Sequence, residues 1–141
     1  PDESRKARFD REEIAIARDP RGPIAEQFRQ LRNSITALNP EGAPRTVVMA
    51  SALRGEGKTV GTINLGLAMS ELPGTRVLLV DGDLHRPGLE GYLGLPRRQG
   101  LTEVIRGTCP IDRAIREAEE EGSFSVTGVA MLLRSISAIV C

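Results

Sequence analysis

The segment that most constrains this chain is TVVMASALRGEGKT, residues 46–59. It starts as an apolar, β-branched run, passes through a glycine-rich turn and ends in Gly57-Lys58-Thr59, after which the sequence follows a helical period. A strand, a glycine-rich turn and a helix in this order form a phosphate-binding loop. Glycines keep side chains away so that backbone N–H groups reach phosphate oxygens, and the positive N-terminal end of the helix faces the same anion. The segment therefore predicts a nucleotide-binding site.

Residue types in this loop predict individual roles. We expect the nucleotide to contact the end of the turn and the start of the helix: Arg54, Gly55, Glu56, Gly57, Lys58, Thr59 and Val60. Lys58 can reach the terminal phosphates, and the Thr59 hydroxyl is a suitable Mg²⁺ ligand. Ala52 stands where the strict GxxxxGK[ST] pattern has glycine, which is a small departure. Arg54 either contacts phosphate or points to water, and the sequence leaves both open.

Two carboxylates, Asp81 and Asp83, follow a second apolar run, RVLLV at residues 76–80. An unbroken apolar run is typical of a parallel strand buried on both faces, and ligands bind at the carboxyl edge of such sheets. We expect the two acids to face Lys58 and Thr59 across the phosphates, one helping to hold Mg²⁺ and the other accepting a proton from a hydroxyl or water. The alternative is that each aspartate caps a turn or a helix. Lys58, Asp81 and Asp83 are thus the predicted catalytic residues.

The order of predicted elements indicates the fold class. A helix is predicted from Pro23, with an apolar stripe at helical spacing: Ile24, Phe28, Leu31, Ile35 and Leu38. Strand, helix and strand over residues 46–80 form a βαβ unit. Helices are predicted over 101–106 and 111–121 and a strand over 124–127, while 129–140 fits a helix or a further apolar segment. The prediction is an α/β fold, a P-loop NTPase-type parallel sheet flanked by helices and incomplete at its C-terminal end. Residues 1–22 are predicted to be a flexible or loosely docked lead-in, and residues 23–141 a partial P-loop nucleotide-binding domain.

Composition excludes several classes of function. The 141 residues carry 19 basic and 19 acidic side chains, so no global field draws the chain to nucleic acid. Aromatic residues make up 3% of the chain and include no Trp, which disfavours base stacking on single strands. His85 is the only histidine, so multi-histidine metal sites and histidine-based triads are excluded. Cys109 and Cys141 are far apart and fit no metal-binding spacing.

Several stretches together resemble the bacterial tyrosine kinases of capsule and exopolysaccharide synthesis, the BY-kinases. SALRGEGKT is similar to their first nucleotide motif, SxxPGEGKS/T, and VLLVDGDLHRP is similar to their second, an apolar triplet followed by DxDxRRP. DPRGPIAEQFRQLRNSI resembles the family's leading segment and contains ExxRxxR as Glu26, Arg29 and Arg32. GLPRRQGLTEVIRG resembles the stretch after the second motif. The resemblance covers residues 19–126.

The resemblance implies an ATP-dependent autokinase that uses ATP and Mg²⁺ and acts on tyrosine-bearing proteins, including itself. It implies that Lys58 and Thr59 bind ATP phosphates and Mg²⁺, that Asp81 is the base for a tyrosine hydroxyl and that Asp83 supports the metal. It also implies a homo-oligomeric ring contacted through Glu26, Arg29 and Arg32. The alternative is that these three residues lie on a helix face that is exposed to solvent. A membrane activator of the polysaccharide co-polymerase type is the implied partner, which places the chain in the cytoplasm at the inner face of the membrane.

Departures from the family pattern keep two other functions open. The family's third motif is an apolar strand ending in Asp, and no acid follows an apolar run here after Asp83. The family's tyrosine-rich tail is also absent, because Tyr92 is the only tyrosine. One alternative is therefore a nucleotide-binding module without catalysis. Another is an ATPase switch resembling partition and division-site ATPases, although Leu53 stands where those proteins carry a second lysine. His85 stands where the family motif has Arg, and Arg86 is the better anion contact because its charge is permanent.

Overall fold

A computed structural model of the chain describes residues 11–41, 45–116 and 136–140. Along the chain it contains α1 (Ala15–Arg18), α2 (Pro23–Ala37), β1 (Arg45–Val48), α3 (Lys58–Ser70), β2 (Arg76–Val80), α4 (Leu89–Tyr92), α5 (Leu101–Ile105), α6 (Ile111–Ala114) and β3 (Ile136–Val140). The predicted strand–helix–strand unit is confirmed as β1, α3 and β2.

Predictions for the second half of the chain have mixed outcomes. The helix predicted over 101–106 is confirmed as α5. The helix predicted over 111–121 is confirmed for residues 111–114 and wrong at residues 115 and 116, because Ile115 adopts an extended backbone with φ −74° and ψ 129°. Residues 117–121 and the strand predicted over 124–127 lie outside the described residues. Of the undecided stretch 129–140, residues 136–140 are described and form a strand.

The three described strands form a parallel sheet in the order β1-β3-β2. In the middle strand β3, Val140 pairs with Val48 of β1 on one side and with Val80 of β2 on the other. Because all three strands run in one direction, their carboxyl ends lie at the same edge of the sheet. The loops that follow β1 and β2 therefore meet there, as predicted for the nucleotide site.

Helix α3 is the most buried helix described, and its side chains form the centre of the core. Ile63, Leu65 and Ala68 are fully buried, as is Leu79 on β2. A Cβ atom on Gly66 would come within 2.9 Å of the Leu79 side chain, so glycine at this position allows close packing of α3 on β2. Each fully buried leucine or isoleucine contributes about 1.5–3 kcal/mol. This packing fixes the helix that begins at Lys58 against the strand that leads to Asp81.

Of the predicted lead-in over residues 1–22, the described part, residues 11–22, is docked on the core, so the flexible alternative is wrong there. Ile14 is fully buried and Ile16 nearly so, and both belong to the hydrophobic core. The Ile16 N–H donates to Asn64 Oδ1 at 3.1 Å, and Asn64 Nδ2 donates to the Glu13 carbonyl at 2.9 Å. These contacts hold the segment on α3 because they satisfy backbone groups that burial would otherwise leave unpaired. Residues 1–10 lie outside the described residues.

Helix α2 is confirmed, but its predicted apolar stripe is only partly buried. Phe28 and Ile35 pack on the core, whereas Ile24, Leu31 and Leu38 are exposed. The face turned to α3 also carries arginines, whose charged ends reach the C-terminal end of α3 while their stems pack below. The spacing identified a helix correctly but could not show which side of it faces the core.

Candidate functional site

The loops that follow β1 and β2 enclose a cavity of about 440 Å³ at the carboxyl edge of the sheet. Predicted site residues from both loops meet there, together with one residue that was not predicted. The lining residues are Arg54, Gly55, Gly57, Lys58, Thr59, Val60, Asp81, Asp83, His85, Arg86 and Tyr92. Glu56 is the one predicted nucleotide contact outside this lining.

The turn before α3 is built by two left-handed glycines and by hydrogen bonds within the loop. Gly55 has φ 75° and Gly57 has φ 86°, conformations that residues with a Cβ rarely adopt. Glu56 stabilises the turn, since its Oε2 accepts the Leu53 N–H at 3.1 Å. Ser51 Oγ donates to the Leu53 carbonyl at 2.9 Å. The sequence predicted that Glu56 contacts the nucleotide. In the structure its carboxylate instead accepts a hydrogen bond from within the loop.

Lys58 and Thr59 occupy the first turn of α3, where backbone N–H groups have no intrahelical partner. Lys58 Nζ donates to Ser51 Oγ at 2.7 Å, which holds the ammonium group over the turn. A Cβ atom on Gly88 would lie 3.2 Å from Thr59 Oγ1, so the loop after β2 passes close to this hydroxyl. Both side chains are therefore positioned between the two loops, as a phosphate and metal site requires.

Asp81 is almost fully buried, at 4% exposure, and both of its oxygens accept backbone N–H groups. Oδ2 accepts from Gly88 at 2.7 Å and from Leu89 at 3.0 Å, and Oδ1 accepts from Asp83 at 3.1 Å. The carboxylate thereby caps the start of α4 and closes the loop between β2 and α4. This is the capping role that the sequence left open as an alternative for either acid.

Asp83 is exposed and uses one oxygen to form the turn after β2. Its Oδ1 accepts the N–H groups of Arg86 at 3.0 Å and His85 at 3.2 Å. The Arg86 N–H and then the His85 N–H, assisted by the nearby charges of His85 and Arg54, lower the pKa of Asp83 below its ordinary value. Within the described part of the chain, the hydrogen bonds to this carboxylate involve Oδ1, which leaves Oδ2 for a ligand. Asp83 is thus the more available of the two acids.

Tyr92 and Arg11 contribute to the cavity region although the sequence gave no signal for them. Tyr92 lines the cavity, and the Arg11 guanidinium lies 4.8 Å from the centre of its ring, a cation–π distance. Arg11 Nη2 also donates to the Gly91 carbonyl at 3.2 Å. Only the docking of residues 11–22, which looked like a lead-in, brings Arg11 here. The two residues are 81 positions apart, so no local pattern could connect them.

A smaller cavity of about 100 Å³ lies beside the first, and Asp81 and Asp83 line both. Arg97 and Arg98 contribute to its lining. Glu90 also lines it and pairs with Arg116, whose Nη1 donates to the Pro96 carbonyl at 2.6 Å. Burial raises the pKa of Glu90 although the charge of Arg116 opposes this shift. Because Asp81 and Asp83 line both cavities, the loop that contains them borders a cavity on each of two sides.

The three predicted oligomer-contact residues, Glu26, Arg29 and Arg32, lie at the other end of α3. Arg29 donates to both oxygens of Glu71, at 2.8 and 2.7 Å, and Arg32 donates to Glu71 at 2.9 Å. Arg32 also donates to the Ala68 carbonyl at 2.9 Å. Glu26 lies 3.7 Å from Arg29 and is largely exposed. Arg29 and Arg32 therefore bind partners within their own chain. The resemblance predicted a contact with a neighbouring subunit and did not predict these internal contacts.

The residues of the main cavity fit a nucleotide with Mg²⁺. The left-handed glycines leave space where a Cβ would stand, since nothing lies within 4 Å of such an atom on Gly55 or Gly57. Within residues 11–41 and 45–116 no three acidic, histidine or cysteine side chains cluster as a metal site. A Mg²⁺ ion bound with nucleotide needs fewer protein ligands, because phosphates and waters complete its shell. The Thr59 hydroxyl and Asp83 Oδ2 are suitable oxygens.

Sequence comparisons give relatives of two kinds. The chain is 30% identical over 118 residues to the tyrosine-protein kinase YwqD of Bacillus subtilis, covering 84% of this chain and 49% of YwqD. It is 32% identical over 99 residues to the succinoglycan biosynthesis transport protein ExoP of Rhizobium meliloti, covering 70% of this chain and 12% of ExoP. A chloroplastic homolog of the septum site-determining protein minD from Arabidopsis thaliana is 38% identical over 85 residues, covering 59% of this chain and 26% of that protein. The chain thus spans half or less of each relative, and no protein-family model matches it.

Solved structures support the fold. The kinase domain of the Escherichia coli tyrosine kinase ETK matches with a TM-score of 0.75 at 18% identity, covering 90% of this chain and 58% of that one. At this identity the likeness shows the fold alone, a parallel sheet flanked by helices. None of the helices in the described ranges combines the length and apolar character needed to cross a membrane.

Proposed function

Because the chain is a BY-kinase-like family member, we propose that it is the catalytic part of an ATP-dependent protein-tyrosine kinase that regulates exopolysaccharide or capsule synthesis. The observation that carries the proposal is one cavity lined by Lys58, Thr59, Asp81 and Asp83, from two loops at the carboxyl edge of a parallel sheet. Such a cavity suits a triphosphate on one side and an acidic loop on the other. Phosphoryl transfer depends mainly on this positioning and on charge neutralisation.

Each residue of the cavity has a proposed role. Lys58 leaves Ser51 Oγ to bind the terminal phosphates, while the first N–H groups of α3 bind the inner ones. A bound Mg²⁺ would neutralise phosphate charge, with Thr59 and Asp83 as its protein ligands. Asp81 keeps Gly88 and Leu89 in place and thereby positions the loop that faces the phosphates. The resemblance gives Asp81 the role of base, but its three N–H contacts favour positioning instead.

The wider setting is proposed on the relatives' names. ExoP is named as a biosynthesis transport protein, which supports a membrane partner of the polysaccharide co-polymerase type and a place at the inner face of the cell membrane. We also propose tyrosine-bearing protein substrates and a homo-oligomer. For the oligomer contact through Glu26, Arg29 and Arg32, Glu71 is an internal competitor, because it already binds both arginines.

A test of the proposal uses Lys58→Met, with Arg76→Met as its matched control. Arg76 is an exposed cation at the start of β2, the edge of the sheet opposite the cavity. We expect Lys58→Met to lower the affinity for a fluorescent ATP analogue with Mg²⁺ by at least roughly tenfold and to abolish phosphorylation of a glutamate–tyrosine copolymer. Arg76→Met should behave like the parent. Equal binding and copolymer labelling in Lys58→Met would refute the site assignment.

The same assays separate the two alternatives. The similarity to a minD homolog over 85 residues favours an ATPase switch as the second candidate. That function predicts release of inorganic phosphate from ATP without phosphotyrosine. Nucleotide binding with neither product would identify a non-catalytic nucleotide-binding module instead.

A further inference from the structure

A basic surface lies next to the loop that contains Asp81 and Asp83 and has no role in the proposed nucleotide site. The smaller cavity, which these two acids share with the main one, is also lined by Arg97 and Arg98. Arg98 in turn lines an open depression of about 500 Å³ together with Arg113. Because each cavity shares lining residues with the next, the main cavity, the smaller cavity and the depression follow one another along the molecule.

We propose that Arg98 and Arg113, named here the arginine surface, bind an acidic residue that lies near the acceptor tyrosine of a protein substrate. The tyrosine itself then lies at the main cavity, close to the phosphates. This inference rests on the proposed kinase function and adds the class of substrate, a tyrosine peptide with Asp or Glu at a nearby position. Neither arginine lines the main cavity, so both determine specificity without being catalytic residues.

The charges of Arg98 and Arg113 are not balanced within the part of the chain that the structure describes. Both side chains are exposed, and no acid in the described ranges forms an ion pair with either guanidinium. In contrast, Arg116 pairs with Glu90, and Arg97 is close enough to attract the same carboxylate. A carboxylate from another molecule therefore meets two available guanidinium groups, and arginine binds carboxylates through two parallel N–H groups.

The backbone that carries Arg98 is fixed on both sides. Two residues before it, the Pro96 carbonyl accepts a hydrogen bond from Arg116 Nη1 at 2.6 Å. Two residues after it, the Gly100 N–H donates to Glu103 Oε2 at 2.7 Å. A fixed loop loses little conformational freedom when a peptide binds to it, which favours binding. The position of Arg98 relative to the smaller cavity is therefore set before any substrate arrives.

The size of the smaller cavity sets the spacing between the tyrosine and the acidic residue. Asp83 and Arg98 both line this cavity of about 100 Å³, and an extended chain spans about 3.3–3.6 Å per residue. A peptide therefore passes from Asp83 to Arg98 within about two to four residues. The charges agree with this orientation, because a neutral phenol suits the acidic end of the path and a carboxylate suits the arginine surface.

The same charge pattern favours a peptide over a nucleic acid. A nucleic acid strand has a phosphate at every nucleotide, so a strand that reached Arg98 would bring further phosphates towards the smaller cavity. Asp83, Glu90 and Glu103 line that cavity, and their carboxylates repel phosphate. A peptide can instead place its negative charge at the arginine surface alone.

The experiment compares two tyrosine peptides of equal length. One has Glu at the second and third positions on each side of the tyrosine, and the other has Gln at these four positions. Phosphorylation with ATP and Mg²⁺ gives kcat and KM for each peptide. Fluorescence anisotropy gives the affinity of the same peptides, labelled with fluorescein, in the presence of a non-hydrolysable ATP analogue.

We expect the parent protein to prefer the Glu peptide about fivefold in kcat/KM and in affinity, since exposed ion pairs contribute modestly. Combining Arg98→Gln with Arg113→Gln should reduce this preference to less than about twofold, mainly by raising KM for the Glu peptide. The Gln peptide should be phosphorylated equally by both proteins. Arg76→Gln is the matched control and should keep the parental preference, because Arg76 is an exposed cation at the start of β2. Circular dichroism verifies that the variants are folded.

Three results would overturn the inference. Equal use of the two peptides by the parent, or an unchanged preference in the double variant, means that the arginine surface does not select substrates; the kinase function then stands. Binding of an oligothymidine that the double substitution abolishes, without arginine-dependent peptide binding, means that the surface binds nucleic acid. If neither peptide nor the glutamate–tyrosine copolymer is phosphorylated, the proposed kinase function fails, and the substrate assignment fails with it.

Discussion

Asp81 and Asp83 are two positions apart, yet their surroundings differ in every respect that matters for function. Asp81 is buried and saturated with three backbone N–H groups, whereas Asp83 is exposed and uses Oδ1 for its turn. In a buried site, losing an accepted hydrogen bond leaves an N–H group without a partner, which is costly. In an exposed site, removing a charge mainly affects what binds there. The two acids should therefore respond differently to the same substitution.

We predict that Asp81→Asn lowers the free energy of unfolding by about 1–2 kcal/mol, because an amide group can replace only one of the two accepting oxygens. Asp83→Asn keeps an oxygen for the turn, so it should leave stability nearly unchanged and weaken binding of nucleotide with Mg²⁺ roughly tenfold. Urea denaturation and titration with a fluorescent ATP analogue measure the two effects. A stable Asp81→Asn that loses only turnover would favour the base role that the resemblance implies.

At the scale of elements, the contact between α2 and α3 depends on Glu71 as well as on apolar packing. Arg29 binds Glu71 with two hydrogen bonds and Arg32 adds a third. The hydrogen bond from Arg29, followed by its charge and that of Arg32, lowers the pKa of Glu71 from its ordinary value of 4.5. A lowered pKa in the folded state means that ionised Glu71 stabilises the fold. This contribution is present above the unfolded-state pKa and disappears as the pH falls through the lower folded-state value.

We predict that Glu71→Gln costs about 1 kcal/mol of unfolding free energy at neutral pH, since the three groups form a partly exposed network. The difference from the parent should be constant above the ordinary pKa of 4.5 and shrink at lower pH. Urea denaturation at a series of pH values measures it. Glu41→Gln is the control, because Glu41 is exposed at the end of α2. An equal cost at acidic and neutral pH would mean that Glu71 acts through packing instead of charge.

The sequence predicted those elements whose signals are local. The strand over 76–80 matches β2, and the helix predicted after Gly57 begins at Lys58, because a glycine-rich turn and a change of hydrophobic period mark these places. Local motifs also predicted Lys58, Thr59, Asp81 and Asp83 as site residues, and these four side chains line one cavity. The helix α4 was missed, since its cap is Asp81, eight residues before Leu89. Local patterns do not contain contacts of that kind.

At the scale of the whole molecule, the largest error concerned the charged N-terminal segment. Its composition predicts a flexible or loosely docked lead-in, yet Ile14 and Ile16 are buried in the core and Arg11 lies over the ring of Tyr92. The buried amide of Asn64 makes this possible by pairing with backbone groups of residues 13 and 16, 51 and 48 positions away. In the sequence, Asn64 is one of several polar residues in α3, and no local pattern distinguishes it from the others. Its importance follows only from the tertiary fold.

We predict that Asn64→Leu releases this segment. The substitution removes an acceptor for the Ile16 N–H and a donor to two carbonyls, those of Glu13 and Val60, and should cost about 2–3 kcal/mol. Because the segment then opens more often than the rest of the domain, trypsin should cut after Arg18 several-fold faster while cleavage after Arg76 at the start of β2 changes less. Gln27→Leu, an exposed amide on α2, is the matched control. If both variants are cut after Arg18 at the parental rate, apolar packing of Ile14 and Ile16 alone holds the segment, and Arg11 stays beside Tyr92 without help from Asn64.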